Sequence, residues 1–460
     1  MSTRLVHRLT PKLSPLLAVG LALGLAACGG TGSPPGPNPD AGGDGGAEAS
    51  GAVTFLTFGD PEELAAYREL IAAYEERSAD AEVQLVEASD RSDLIARVAT
   101  SIAGGSPPDL FLINYRFYGQ FASKGAIEPI EERATNSTEL DLDGFYPQAL
   151  DAFRWQGRLH CIPQNISSLV VYYNRDLFRR YDVPEPKAGW TWNEFRATAS
   201  ALTRDAQGRQ AVGQESETAS AVATYGLGVE PTVIRIAPFV WSNGGEIIDD
   251  PQRPTRFTFD TPEASQALRE FLALRTPNGV IPTDVEVEAE DDEARFANGR
   301  LAMLLSSRRS TPTFRTIEDF DWDVAALPQF REPAGILHSD AYCMTSASPR
   351  KDVAWQFMEF ALGPEGQRIV AKTGRTVPSL RSVAESEAFL DPDAKPANSQ
   401  VFLDGIPTIR RVPSVSTWPE IEDAAEGILE NGLYLGTPVD EVIAELDRVT
   451  RPLFARAQSP

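Results

Sequence analysis

Arg308 and Arg309 stand side by side after the run Ala302-Met303-Leu304-Leu305-Ser306-Ser307. A guanidinium presents its donors as a rigid fork, which suits bidentate capture of a carboxylate or phosphate, or of neighbouring hydroxyls. The competing role for such a pair is a solvated surface patch. Gly59-Asp60 and Asn114-Tyr115-Arg116 offer other chemistry: short polar groups and one ring at turns directly after apolar runs. Helix capping competes with ligand contact for the acidic residues there, Glu62 above all. No catalytic constellation is spelled out: the chain has no Gly-x-Ser-x-Gly elbow, no His-Glu-x-x-His and no phosphate-cradling glycine loop. A carboxylate pair for glycoside hydrolysis has no spacing signature among 66 acidic residues. The reading is of a binding protein, not an enzyme, with no cofactor.

These groups need a frame. Ala52-Val53-Thr54-Phe55-Leu56-Thr57-Phe58 reads as a strand, and Gly59-Asp60-Pro61-Glu62-Glu63 as a turn with an acidic helix start. Leu64, Tyr67, Leu70, Ile71 and Tyr74 recur at helical spacing. A second strand over 83–86, a second helix carried by Leu94, Ile95, Val98 and Ile102, and a third strand over 110–113 follow. This alternation predicts an α/β fold, a sheet of parallel strands covered by helices. Ligands in such folds sit beyond the carboxyl ends of strands, where Gly59-Asp60 and Asn114-Tyr115-Arg116 fall. Further along, Leu169-Val170-Val171-Tyr172-Tyr173 reads as a buried strand, and 192–202 as a helix capped by Thr191. Phe257-Thr258-Phe259-Asp260-Thr261-Pro262 reads as a strand running into a helix, and 439–449 as a closing helix.

The chain opens with Arg4, Arg8 and Lys12, an apolar run over 16–25, then Leu25-Ala26-Ala27-Cys28. That order resembles a bacterial lipoprotein signal over 1–27, with Cys28 lipidated after cleavage. Residues 28–51 are rich in Gly, Pro and Ala and lack apolar periodicity, so they read as a flexible tether. The expected location is extracytoplasmic, the body held to the cell membrane on its periplasmic or cell-surface side by the lipid on Cys28. A net charge of -24 argues against nucleic acid and against peripheral attachment to anionic lipid. Cys161 and Cys343 are the other two cysteines, and outside the cytoplasm such a pair is more often a disulfide than a metal site. Three histidines in the chain, one of them His7, argue against a His-based metal centre. The acidic run 284–293 lacks EF-hand spacing and reads as a solvated helix start.

Nine phrases then occur in one order. They are Ser106-Pro107-Pro108-Asp109-Leu110-Phe111, Gly125-Ala126-Ile127-Glu128-Pro129-Ile130, Gly157-Arg158-Leu159-His160-Cys161-Ile162-Pro163 and Tyr173-Asn174-Arg175-Asp176-Leu177-Phe178. Trp190-Thr191-Trp192-Asn193-Glu194-Phe195, Asn243-Gly244-Gly245 and Phe296-Ala297-Asn298-Gly299-Arg300-Leu301-Ala302-Met303 follow. Asp323-Val324-Ala325-Ala326-Leu327-Pro328 and Ala354-Trp355-Gln356-Phe357-Met358-Glu359-Phe360 complete the set. Together they make the chain similar to the extracellular solute-binding proteins of sugar ABC importers, the family of maltose-binding protein, with relatives that bind glycerol phosphates. The resemblance implies a two-lobe periplasmic-binding-protein clamshell with three hinge crossings, near Pro163, Leu327-Pro328 and Thr376-Val377-Pro378. Lobe 1 would be 52–162 plus 328–376, and lobe 2 would be 163–327 plus 377–460. It also implies a monomer that closes on a small-molecule sugar and passes it to the transmembrane subunits of an ABC permease. A sensor could use the same clamshell in place of a permease. Cys161 and Cys343 would then lie on neighbouring strands of lobe 1.

A sugar site needs ring faces for C–H stacking and planar polar groups for hydroxyls. By the resemblance, Trp418 takes the position of a ligand-stacking tryptophan. Asn114, Tyr115 and Arg116 take that of polar or aromatic contacts, and Trp241 lies just upstream of the Asn243-Gly244-Gly245 turn, where aromatic contacts occur. Packing within a lobe is the competing role for each of these rings. Asn165 and Ser167 follow the first crossing, where the family pattern has an acidic contact that Ser167 does not supply. Arg308 and Arg309 replace the family's glycine and aromatic, which raises an acidic sugar or a sugar phosphate as the ligand.

Overall fold

The computed structural model describes residues 51–78, 81–212, 222–275 and 279–457. The expected signal (1–27), Cys28 and all of the tether but Gly51 lie outside the described residues. The strand β1 (Gly51–Thr57) leads into α1 (Pro61–Arg77), β2 (Ala81–Glu87), α2 (Arg91–Ala103), β3 (Leu110–Asn114) and α3 (Tyr115–Ala122). β1 pairs in parallel with both β2 and β3, as strand–helix alternation requires. Asp90 caps α2 and Asn114 caps α3 through their side-chain oxygens, so two helices begin just beyond the carboxyl ends of β2 and β3. Gly59 stands in the turn between β1 and α1, where a Cβ would lie 2.6 Å from the Glu63 carboxylate.

The first sheet differs from the parallel sheet expected. Its order is β2, β1, β3, then the strand Asp340–Met344, then the strand Cys161–Pro163. Asp340–Met344 runs antiparallel to both neighbours, because the chain re-enters this sheet from the other one in the reverse direction. Cys343 opposes Cys161 across that ladder, and their sulfurs are bonded, with Cα atoms 4.5 Å apart. The second sheet has Val170–Asn174 at its centre, flanked antiparallel by Met303–Ser306 and Trp322–Ala325. All three strands are buried throughout, so apolar side chains cover both faces.

Between the sheets three chain segments lie side by side. Ser167 donates its backbone N–H to His338, Ile166 to Val377 and Ser379 to Gln164, at 2.9, 2.9 and 3.2 Å.

Three local expectations change. Phe257 forms only a single bridge, with Ile248, and no strand precedes the helix Pro262–Leu272. Its ring instead meets Trp418 and Phe454. The acidic run 284–293 spans two short helices, Asp284–Ala289 and Asp292–Ala297, each with a side-chain cap. The closing helix runs on to Ala457, with Pro452 inside it.

Candidate functional site

A cavity of about 610 Å³ opens where the strand ends of both sheets converge. One wall comes from the carboxyl ends of the first sheet: Phe58, Gly59 and Asp60 after β1, Asp90 and Arg91 after β2, Asn114, Arg116 and Phe117 after β3. The facing wall comes from Glu230 and the start of the helix Val233–Ser242, from Ser307 to Arg309 after Met303–Ser306, and from Glu422, Asp423 and Glu426 on the helix Trp418–Tyr434. The linking segments supply Asn165, Ser167, His338, Asp340 and Arg375 at the floor.

Charge pairs organise these walls. Arg116 donates to Glu422 at 2.5 Å, with both side chains nearly buried. Arg235 holds Glu230 through Nε and Nη2 at 2.9 and 2.8 Å, and Arg309 lies 3.6 Å from the same carboxylate. Arg375 pairs with Asp60 and, at 2.6 Å, with Glu63. Among the described residues no carboxylate pairs with Arg91. It rests on the rings of Phe58 and Phe117, 5.7 and 5.5 Å from their centroids.

Such walls suit a polar ligand. Residues 69–397 match the bacterial extracellular solute-binding protein family. The chain belongs to that family. The maltotriose-binding protein of Pyrococcus abyssi is 23% identical over 353 residues, 75% of this chain and 69% of that one. An ABC substrate-binding protein from Listeria monocytogenes, solved with cycloalternan, superposes with a TM-score of 0.77 at 24% identity, covering 87% of this chain and 98% of the other. A Mycobacterium tuberculosis protein solved with glycerophosphocholine superposes at 0.74 and 20% identity, covering 88% and 99%. The solute-binding protein thus has the α/β, two-lobe clamshell architecture of these structures, and the cavity is a cleft between its two main sheets.

The cleft gathers Gly59, Asp60, Asn114, Arg116, Asn165, Ser167, Arg308 and Arg309 from the sequence-predicted set. Several are held by neighbours. Asn114 accepts from the Arg116 backbone and Nε, both at 3.3 Å, and Asn165 exchanges hydrogen bonds with Asp340. Arg308 is neither solvated nor free. It is 1% exposed, donates to the Gly374 carbonyl at 2.6 Å and Ser399 at 3.1 Å, and sits between the rings of Phe389 and Phe402. Burial pulls its pKa down to about 9.

The three predicted aromatic contacts do not line the cleft. Trp418 is wholly buried against Phe257 and Phe454 as the first residue of its helix, not in a loop before it. Trp241 is buried under the Arg410 guanidinium, 4.7 Å from its ring. Tyr115 is buried with its hydroxyl accepting from the Val412 N–H at 3.3 Å. Each ring fills the interior of its own region.

Arg91, Glu230, Arg235, Arg375 and Glu422 were missed. Arg91 had a signal, since it follows the end of β2 just as Gly59 follows β1 and Asn114 sits at the end of β3. Arg235 had another: it is the one charge in Val233-Ile234-Arg235-Ile236-Ala237-Pro238-Phe239, a run otherwise fit for the core.

Glu63 supplies a pH test. Its carboxyl is buried, which pushes its pKa up to about 7 against the pull of Arg375. From about pH 4.5 to about pH 7 the folded protein therefore holds a proton the unfolded chain has released, so this group's contribution to stability falls as pH rises. Urea unfolding at the two ends of that window should show the decline, and Glu63→Gln should flatten it. An unchanged slope in the variant would place the titration elsewhere.

Proposed function

We propose that the protein captures a carbohydrate in this cleft by closing its lobes about hinge crossings near Pro163, Leu327-Pro328 and Thr376-Val377-Pro378, and delivers it to the transmembrane subunits of an ABC importer. It acts as a monomeric lipoprotein anchored through Cys28 on the outer side of a cell membrane, without catalysing a reaction. The observation that carries the reading is the cleft itself: polar groups from strand ends on both walls converge on one space of about 610 Å³, the size of a small-ligand site. Interlobe pairs such as Arg116–Glu422 make the closed form self-complementary. Ligand that touches both walls shifts the open–closed equilibrium toward it.

Calorimetric titration with a panel of mono- and oligosaccharides, followed by small-angle scattering with and without the binder, tests this. One carbohydrate should bind without turnover, raise the melting temperature and reduce the radius of gyration. A folded sample that takes no carbohydrate, or that hydrolyses one, would sink the proposal.

A further inference from the structure

We propose that the ligand carries an oxyanion, a carboxylate or phosphate on a sugar or polyol, seated at the amino end of the helix Val233–Ser242 among Arg91, Arg235 and Arg309. This rests on the cleft being the ligand site, as argued above, and deepens that reading by naming the ligand's charge.

Arg235 is 3% exposed and lines the cleft. Its Nε and Nη2 are taken by Glu230, but Nη1 is buried without a partner. Buried donors are almost always satisfied, so an orphan guanidinium N–H at a cleft wall marks a place for an acceptor that arrives with the ligand. The helix that carries it starts at the same wall. Thr232, its N-cap residue, makes no side-chain capping bond, and the Thr232 hydroxyl is likewise buried and unpartnered. An uncapped helix start concentrates N–H groups and positive dipole where an anion can sit.

The charge balance points the same way. Glu230 is one carboxylate shared by two guanidiniums; the other acid near Arg309, Glu293, lies 3.7 Å away. Arg91 makes no ion pair among the described residues, and Asp340 and Glu422 act on its charge only from a distance. At the cleft floor, burial holds the His338 imidazole well below its ordinary pKa, with Arg235, Arg116, Arg309 and Arg91 all pressing in the same direction. Guanidiniums from both walls thus act on one spot, within a cleft that carboxylates such as Asp340, Glu422 and Asp423 also line.

Ring stacking points away from a neutral ligand. Among the described residues the cleft's phenyl, phenol and indole rings are Phe58 and Phe117 alone. Arg91 covers both, and Arg116 also lies 5.0 Å over Phe117. A guanidinium therefore already lies against each ring that could stack on the C–H face of a neutral sugar. On the opposite side Asp423 and Glu426 can accept from hydroxyls, which fits a polyol body attached to the oxyanion.

The test uses matched probes on the purified protein, unfolded and refolded to strip carried ligand: glucose with glucuronate and glucose 6-phosphate, glycerol with glycerol 3-phosphate, and inorganic phosphate alone. We expect one oxyanion-bearing probe to bind at least roughly tenfold tighter than its neutral parent, and Arg91→Gln and Arg309→Gln each to weaken it by roughly tenfold. Both side chains reach solvent, so the unliganded variants should melt like the parent. The uronate and phosphate arms tell which oxyanion it is. A neutral parent that binds as well as its charged partner, unaffected by Arg91→Gln, would overturn the oxyanion while leaving carbohydrate capture standing. Phosphate binding with no preference for any sugar or polyol would keep the oxyanion and overturn the carbohydrate. A folded protein that takes none of these probes would overturn the oxyanion, and the neutral oligosaccharide panel then decides the function separately.

Discussion

Trp418→Ala should lower the unfolding free energy by about 3–5 kcal/mol, the range for emptying a large buried aromatic site, and should leave ligand affinity in the folded fraction nearly unchanged. The ring is wholly buried. It meets Phe257 at 6.1 Å and Phe454 at 6.2 Å between centroids, both edge-on. Those contacts join the start of the helix Trp418–Tyr434 to the final helix Val439–Ala457 and to the segment before Pro262–Leu272. Three elements therefore lose a shared filler, and a helix start cannot collapse into the gap without dragging Glu422 from Arg116. Trp418→Phe should be much milder, because it keeps an aromatic body and deletes an indole N–H that has no acceptor. Urea unfolding gives the stability term and calorimetry the affinity. Unchanged stability with lost binding would mean that Trp418 stacks on the ligand, as the family resemblance implies, and that the packing described above is wrong.

That contrast shows where sequence runs out. A large ring near a turn reads the same whether it stacks on a ligand or fills a core. The partners that decide, Phe257 and Phe454, lie 161 and 36 positions from Trp418 (418 − 257 and 454 − 418). The same holds for Arg308, whose adjacency to Arg309 suggested one joint role. One guanidinium is locked between Phe389 and Phe402, while the other reaches Glu230 across the cleft wall. What was legible was local. Short apolar runs and the 3.6-residue period located β1, α1, β2, α2 and β3 within a few positions, and Thr191 marked a helix start that the structure closes with a reciprocal capping box. The strand-end rule drew attention to Gly59 and Asn114, which line the cleft. Applied to β2 as well, it would have found Arg91. The antiparallel course of Asp340–Met344 was not legible, because it depends on how the chain returns from the second sheet, and no nearby residue encodes that.

The double variant Cys161→Ala/Cys343→Ala should be about 2–5 kcal/mol less stable than the parent, with ligand affinity unchanged. The bond joins residues 182 positions apart, and a cross-link over so long a loop removes much of the unfolded chain's freedom. Both cysteines are fully buried, on adjacent strands of the first sheet whose pairing Tyr342–Ile162 and Ala341–Pro163 continues beside them. The ladder and the core around it therefore persist without the sulfurs, and the loss should appear in the denaturant midpoint more than in the native structure. Neither cysteine lines the cleft, and the strand they staple, Cys161–Pro163, ends where the chain leaves for the second sheet. The cross-link thus holds one lobe together up to the edge of the proposed hinge without bridging it. Reductant added to folded protein should have little effect, since the bond is shielded from solvent, whereas reductant with denaturant should shift the midpoint to that of the double variant. If the variant instead lost ligand affinity while its midpoint held, the disulfide would be acting on closure, and the hinge would have to begin before Cys161.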